Sequence, residues 1–273
     1  MSVRTRTDGP VLVVTIDRPE QRNAVDRPTA DALQAAFERF DADAQQRVAV
    51  LTGAGGTFCS GADLHAVGVD PARTNRLERS SRAPMGPTRQ QLSKPVIAAV
   101  EGYAVAGGLE LALWADLRVM ASDAVMGVFC RRWGVPLIDG GTVRLPRLIG
   151  EARAMDLVLT GRAVDADEAL SIGLATRLAA PGNALTDAVA LAHELAGLPQ
   201  VTMLADRASL LGSRDLPLED ALLVEHDGGV AAIEAGGLTE GVARFRAGEG
   251  RHGRPITPGA SDGRPAADGP VAS

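Results

Sequence analysis

Two stretches of the chain run from an all-apolar segment straight into a cluster of glycines: 50-VLTGAGGTFCSGADL-64 and 96-VIAAVEGYAVAGGLELALWADL-117. Short apolar runs without alternation fit strands buried on both faces, as in a parallel sheet. Glycine permits backbone conformations closed to other residues and lets a ligand approach the main chain. In the second stretch the loop passes into Leu109 to Trp114, which is too helix-friendly to be another strand. A helix starting near Gly107 leaves its first N–H groups unpaired and aims its positive dipole end outward. That arrangement suits a developing oxyanion. Small residues before a helix also serve close packing, so neither loop alone decides between the two roles.

The remaining pattern supports an α/β core with ligand-facing loops at strand ends. Val11 to Ile16 and Val48 to Leu51 read as buried strands, Pro95 to Val100 as a third and Leu117 to Ala121 as a fourth. Leu33, Ala36, Phe37 and Phe40 recur at helical spacing, which predicts a helix from Thr29 to Phe40 with its start blurred by Pro28. Residues 66 to 90 carry Arg, Ser and Pro without sustained periodicity and read as a mobile segment with a short helix around Thr74 to Arg82. After Gly150 the pattern is helical at Ala152–Thr160, Ala166–Leu170, Ala184–Leu195 and Leu218–Ala235. The domain reading is a core over 1–195, a helical region over 196–250 and a disordered tail over 251–273, rich in Gly, Pro, Ala and Asp.

Composition removes several classes of function. Of 273 residues only 3% are aromatic and the formal net charge is −6. Stacking platforms for nucleic acid and general polyanion binding are therefore disfavoured. Lys94 is the sole lysine, so phosphate groups would be met by arginine or by backbone N–H groups. Cys59 and Cys130 make no CxxC pair, and the N-terminus lacks the apolar core of a secretory signal. A reducing cytoplasm is the expectation, with no membrane anchoring and no metal centre. Ala62-Asp63 stands where a phosphate loop needs Lys-Ser/Thr, residues 102–108 miss GxGxxG, His193-Glu194 lacks the second histidine of HExxH, and no GxSxG occurs. His65, His193, His226 and His252 are scattered and read as surface or capping residues.

Together, the two loops and their neighbours resemble the enoyl-CoA hydratase/isomerase (crotonase) family over roughly residues 8 to 250. The resemblance rests on RPEQRNAV (18–25), FCSGADL (58–64), KPVIAAVEGYAVAGGLELALWADLRV (94–119), GTVRLPRLIG (141–150) and LTGRAVDADEALSIGLA (159–175). It implies a spiral of ββα units with a C-terminal helical region, assembled as a homotrimer or a dimer of trimers. It implies that the N–H groups of Ala62 and Gly107 hold a thioester oxygen. It also implies a binding site for substrate and coenzyme A near Arg22, Ala24, Ala62, Asp63, Leu64, Gly107 and Cys130. Coenzyme A is then part of the substrate, with no permanently bound cofactor, and enoyl-CoA hydratase activity in fatty-acid β-oxidation is the implied role.

The carboxylates refine this reading. Glu110 falls in the first helical turn after Gly107, inside the apolar run LELALW, where a general acid/base would be wanted. Family members that add water use a second glutamate, and that position falls on Cys130, which cannot activate water as a carboxylate does. Asp139 stands immediately before Gly140-Gly141-Thr142, where members that shift double bonds in dienoyl thioesters carry Asp. It is either a second proton carrier or a turn and capping residue. Arg131 and Arg132 either pair with Asp139 or Glu110, meet an acidic acyl group, or make a salt bridge between subunits. Four outcomes stay open: hydration, isomerisation by Glu110 and Asp139, another enolate reaction such as decarboxylation or carbon–carbon cleavage, and an inactive homologue that only binds CoA thioesters.

Overall fold

The computed structural model describes residues 2–79 and 82–248, so the expected tail over 251–273 lies outside the described residues. The strands are β1 (Val3–Asp8), β2 (Val11–Ile16), β3 (Val48–Gly53), β4 (Val96–Val100), β5 (Tyr103–Val105), β6 (Leu117–Ala121), β7 (Val125–Gly127), β8 (Ala163–Val164) and β9 (Arg177–Ala179). Six form one sheet in the order β1-β2-β3-β4-β6-β9, and three form a second in the order β5-β7-β8. From β2 to β9 the larger sheet is parallel. The residues of β3 and β4 are buried throughout except Gly53, which is why they lack the alternation of a half-exposed strand. β1 is the exception, an antiparallel edge whose VRTRTD is mostly exposed.

The helices of the core are α1 (Arg27–Ala42), α2 (Gly107–Trp114), α3 (Gly141–Ile149), α4 (Glu151–Thr160), α5 (Ala166–Ser171) and α6 (Ala184–Gly197). The ββα repeat is visible in β4-β5-α2 and again in β6-β7-α3, each repeat giving its first strand to the large sheet and its second to the small one. Each repeat thereby carries its chain from one sheet, through a turn, to a helix N-terminus. These are the ββα units expected from the sequence. The chain divides into two compact units after Ala196. The second contains α7 (Gln200–Gly212), α8 (Leu218–Glu234) and α9 (Gly237–Arg246), which pack on one another.

Two local expectations are corrected. Helix α1 begins at Arg27, ahead of the predicted Thr29, because the Asp26 carboxylate accepts from the Thr29 N–H (3.1 Å) and hydroxyl (2.6 Å). Pro28 then sits in the first turn, where its missing N–H costs nothing. The short helix expected around Thr74 to Arg82 does not form in the described part of that stretch. Polar side chains there take other backbone partners: Thr74 Oγ1 donates within reach of the Ala66 and Asp70 carbonyls, and Asn75 Nδ2 donates to Val25 and Pro84. Such bonds compete with helix formation.

Candidate active site

The two glycine loops meet through parallel bridges. Val25 pairs with Ala62, its N–H donating to Gly61 O (2.8 Å) and its carbonyl accepting from Asp63 N (3.0 Å). In a parallel bridge the intervening residue turns its own N–H to the opposite side, so the Ala62 N–H faces away from Val25. A second bridge joins Cys59 to Ala104, with Val105 N donating to Cys59 O (3.1 Å). The Ala62 loop is thereby stitched alongside the strand that leads into α2.

Glycine is required where these loops touch. Gly61 has φ +102°, and a Cβ there would fall 2.9 Å from Ala106 Cβ and 3.0 Å from the Gly107 nitrogen. A side chain at 61 would therefore crowd the first N–H of α2. At Gly108 a Cβ would lie 2.1 Å from the Cys59 carbonyl oxygen, so α2 could not start so close to the loop. Ala106, just before α2, holds φ 54° and ψ −125°, a strained conformation for a residue with a Cβ. Gly107 is the first residue of α2, where helix geometry gives the N–H no internal partner. Neither the Ala62 nor the Gly107 N–H donates to an acceptor among the described residues.

Both residues line a cavity of about 700 Å³ whose walls are mostly apolar, including Leu64, Val67, Leu77, Met85 and Trp133. Its charged lining residues are Arg22, Glu110, Arg132 and Asp139, with Cys130 alongside. Of the residues implied by resemblance, Arg22, Ala62, Leu64, Gly107 and Cys130 line the cavity, whereas Ala24 and Asp63 are buried behind it.

Asp63 serves an ion-pair cluster. Its carboxylate receives Arg18 Nη2 at 2.7 Å and Arg73 Nη2 at 2.9 Å, while Asp26 meets Arg73 Nε at 2.9 Å. Burial alone would raise Asp26, but the hydrogen bonds from Thr29 and Arg73 outweigh it and hold the carboxyl below its ordinary value. The cluster pins the residue next to Ala62. Asn23, fully buried, donates to Ala54 O and Thr57 O and accepts from Arg18 N, fixing the rest of the glycine loop.

Glu110 is 2% exposed. Its Oε1 accepts from the N–H groups of Asp139 and Gly141, both at 2.8 Å, which ties α2 to the start of α3. Burial, with the charge of Asp139 second, pushes its pKa up to about 7. Asp139 is also buried; its Oδ1 accepts from Met85 N (3.0 Å) and Thr88 Oγ1 (2.5 Å), and burial raises its pKa as well. Burial, then the neighbouring Glu110, likewise raises the Cys130 thiol. The cavity thus holds two buried carboxyls that burial raises above their ordinary values, Glu110 to about 7.

Sequence reasoning missed Met85, Thr88 and Arg144. The first two belong to the aperiodic 66–90 segment. Arg144 lies within GTVRLPRLIG and donates to the Asp139 and Thr88 carbonyls at 2.9 and 2.7 Å. Its guanidinium, rather than Arg131 or Arg132, is the cation that offsets the charge of Glu110. Arg131 instead donates to Val158 O, and Arg132 stacks on the Phe129 ring.

A chain with this fold and this cavity is a CoA-thioester enzyme of the crotonase type. The family model for enoyl-CoA hydratase/isomerase matches residues 6–245, and the chain belongs to that family. It is 34% identical to the Mycobacterium tuberculosis protein named enoyl-CoA hydratase EchA19, over 87% of this chain and 90% of that one. It is 37% identical to mevalonyl-coenzyme A hydratase SIDH of Beauveria bassiana, over 86% and 88%. Among solved structures, enoyl-CoA hydratase EchA1 from Mycobacterium marinum superposes with a TM-score of 0.85 at 36% identity, covering 94% of this chain and 98% of that one.

Proposed function

We propose that this enzyme polarises an enoyl-CoA thioester by receiving its carbonyl oxygen on the N–H groups of Ala62 and Gly107, and that Glu110 moves the proton whose loss forms the enolate and whose return quenches it. The observation that carries the reading is the pairing of two N–H groups without acceptors and a buried carboxyl, pushed up to about 7, in one apolar cavity. The N–H groups stabilise negative charge as it develops on oxygen. Glu110, three residues into the same helix turn, removes or returns a proton at the α- or γ-carbon, the positions that the polarised thioester makes acidic. Asp139 is the second carboxyl, held by Met85 and Thr88 so that one oxygen is bonded and the other is free to carry a proton. Arg22 and the cavity mouth accept the CoA end. Assembly as a homotrimer or dimer of trimers, a cytoplasmic location and a place in fatty-acid β-oxidation belong to the same reading. No helix among the described residues is by itself long and apolar enough to cross a membrane.

The curated relatives carry names as different as mevalonyl, carnitinyl and (E)-benzylidenesuccinyl, so similarity at this level supports the reaction class and leaves the acyl group open. One observation favours double-bond isomerisation over hydration: Cys130 stands at the position where the second glutamate of hydratases is expected, with its thiol kept protonated by burial. Incubation of an acyl-CoA panel in D2O, followed by mass spectrometry, separates the two. Isomerisation exchanges deuterium without adding D2O, and Cys130→Glu then adds hydratase activity. Rapid hydration of crotonyl-CoA by the native enzyme, with no gain in Cys130→Glu, would remove the isomerase reading.

A further inference from the structure

Arg132 is the charged lining residue of the cavity that neither the carboxyls nor the glycine loops account for. It belongs to the short helical turn Phe129–Trp133 that also carries Cys130. Its guanidinium lies over the Phe129 ring, 4.0 Å from the centroid, and both side chains line the cavity. A guanidinium held over an aromatic face makes no hydrogen bond to it and keeps its five N–H donors available for a planar anion. Among the described residues no carboxylate pairs with it; the cation nearest in effect to Glu110 is Arg144. Arg131, one residue earlier, is occupied by Val158 O. An exposed guanidinium held over a ring, lining a mostly apolar cavity and with no ion-paired carboxylate among the described residues, is suited to an anion delivered by the ligand.

We infer that Arg132 binds a carboxylate on the acyl group, so that the enzyme prefers thioesters of dicarboxylic acids over neutral acyl chains. The inference rests on the acyl-CoA reading of the cavity. Arg132 shares a helical turn with Cys130, whose thiol feels the charge of Glu110, and both line the cavity, whereas Arg22 neighbours Ser60, whose N–H it receives on its carbonyl at 3.1 Å. A bidentate guanidinium–carboxylate pair gives geometric as well as energetic selection.

The test compares an enoyl-CoA ending in a carboxylate with its methyl ester of the same chain length, in the native enzyme, Arg132→Met and Arg132→Lys. Methionine keeps a stem that packs on Phe129 but removes the charge. The expected result is a KM for the acid raised at least tenfold in Arg132→Met, partly restored by Arg132→Lys, with the ester unaffected. An equal rise for acid and ester that vanishes with pantetheine thioesters, which lack the nucleotide phosphates, would assign Arg132 to coenzyme A and overturn the inference. No change with either substrate would overturn it too. Calorimetric binding of the saturated acid and ester thioesters gives the same comparison without turnover, so failure of the proposed chemistry would not be mistaken for failure of the anion site.

Discussion

Glu110→Gln is expected to lower kcat by about 10²- to 10⁴-fold, the usual contribution of a positioned acid or base, while substrate still binds. Glutamine keeps an oxygen at Oε1 to accept the Asp139 and Gly141 N–H groups, so α2 and α3 stay joined. What it removes is the proton. The pH dependence carries a second signature. With the carboxyl pushed up to about 7 by burial and by Asp139, kcat/KM of the native enzyme should rise as pH passes about 7 and then level. The apparent value belongs to the Glu110–Asp139 pair, since two interacting carboxyls titrate together. Stability should run the opposite way. A carboxyl raised in the fold is protonated there while ionised in the unfolded chain, so the native state binds more protons between the ordinary value of 4.5 and about 7. The native enzyme therefore loses stability as pH climbs through that window. Asp139, also raised, adds to the loss. In Glu110→Gln the thermal midpoint should fall less between pH 5 and pH 8, and it should exceed that of the native enzyme above pH 7. Unchanged turnover of every tested acyl-CoA would remove Glu110 from the reaction.

Arg18→Met is the second large effect, and it acts on stability. The Arg18 guanidinium bonds Asp63 at 2.7 Å, approaches Asp26 at 3.4 Å and donates to the Ala24 carbonyl. Asp63 is 1% exposed. Removing one partner of a buried pair leaves a charge without adequate compensation, which costs about 3–5 kcal/mol. Arg73 still reaches Asp63 at 2.9 Å but is 41% exposed and therefore screened, so the loss should fall toward the lower end of that range. Chemical denaturation measures it directly. A midpoint within experimental error of the native protein would mean that Arg73 suffices and that Arg18 does not hold the Ala62 loop. The same substitution should weaken catalysis in the surviving folded enzyme, because Asp63 adjoins the residue whose N–H is assigned to the thioester.

Most of what positions the site was legible in the sequence, for physical reasons that vary with the element. The central strands were readable because burial on both faces leaves an unbroken apolar run, as at Val48–Leu51 and Val96–Val100. Helix α2 was readable because LELALW cannot be a loop and follows two glycines. The edge strand β1 was not, because VRTRTD faces solvent and carries no apolar signal. The two- and three-residue strands of the small sheet were invisible for a different reason: they are held by neighbours distant in sequence, as Met126 is by Val164. Glu110 and Asp139 could be nominated from their neighbours, yet nothing in one dimension says that the backbone of one bonds the side chain of the other. Asp63 illustrates the limit. Resemblance puts it near coenzyme A, but its ion pairs with Arg18 and Arg73 could not be read from the sequence, since Arg73 comes from a segment without periodicity. Met85 and Thr88, which hold Asp139, come from that segment as well.

The central claim is that the thioester oxygen rests on the Ala62 and Gly107 N–H groups, and the carbonyl itself reports on this. An enoyl-CoA labelled with carbon-13 at the thioester carbon, bound to Glu110→Gln so that it does not react, can be observed by NMR. Two hydrogen bonds to the oxygen draw electron density from the carbonyl, so the account expects a bound resonance displaced downfield of the free thioester. A resonance at the free position, in a complex shown to be saturated, would contradict it.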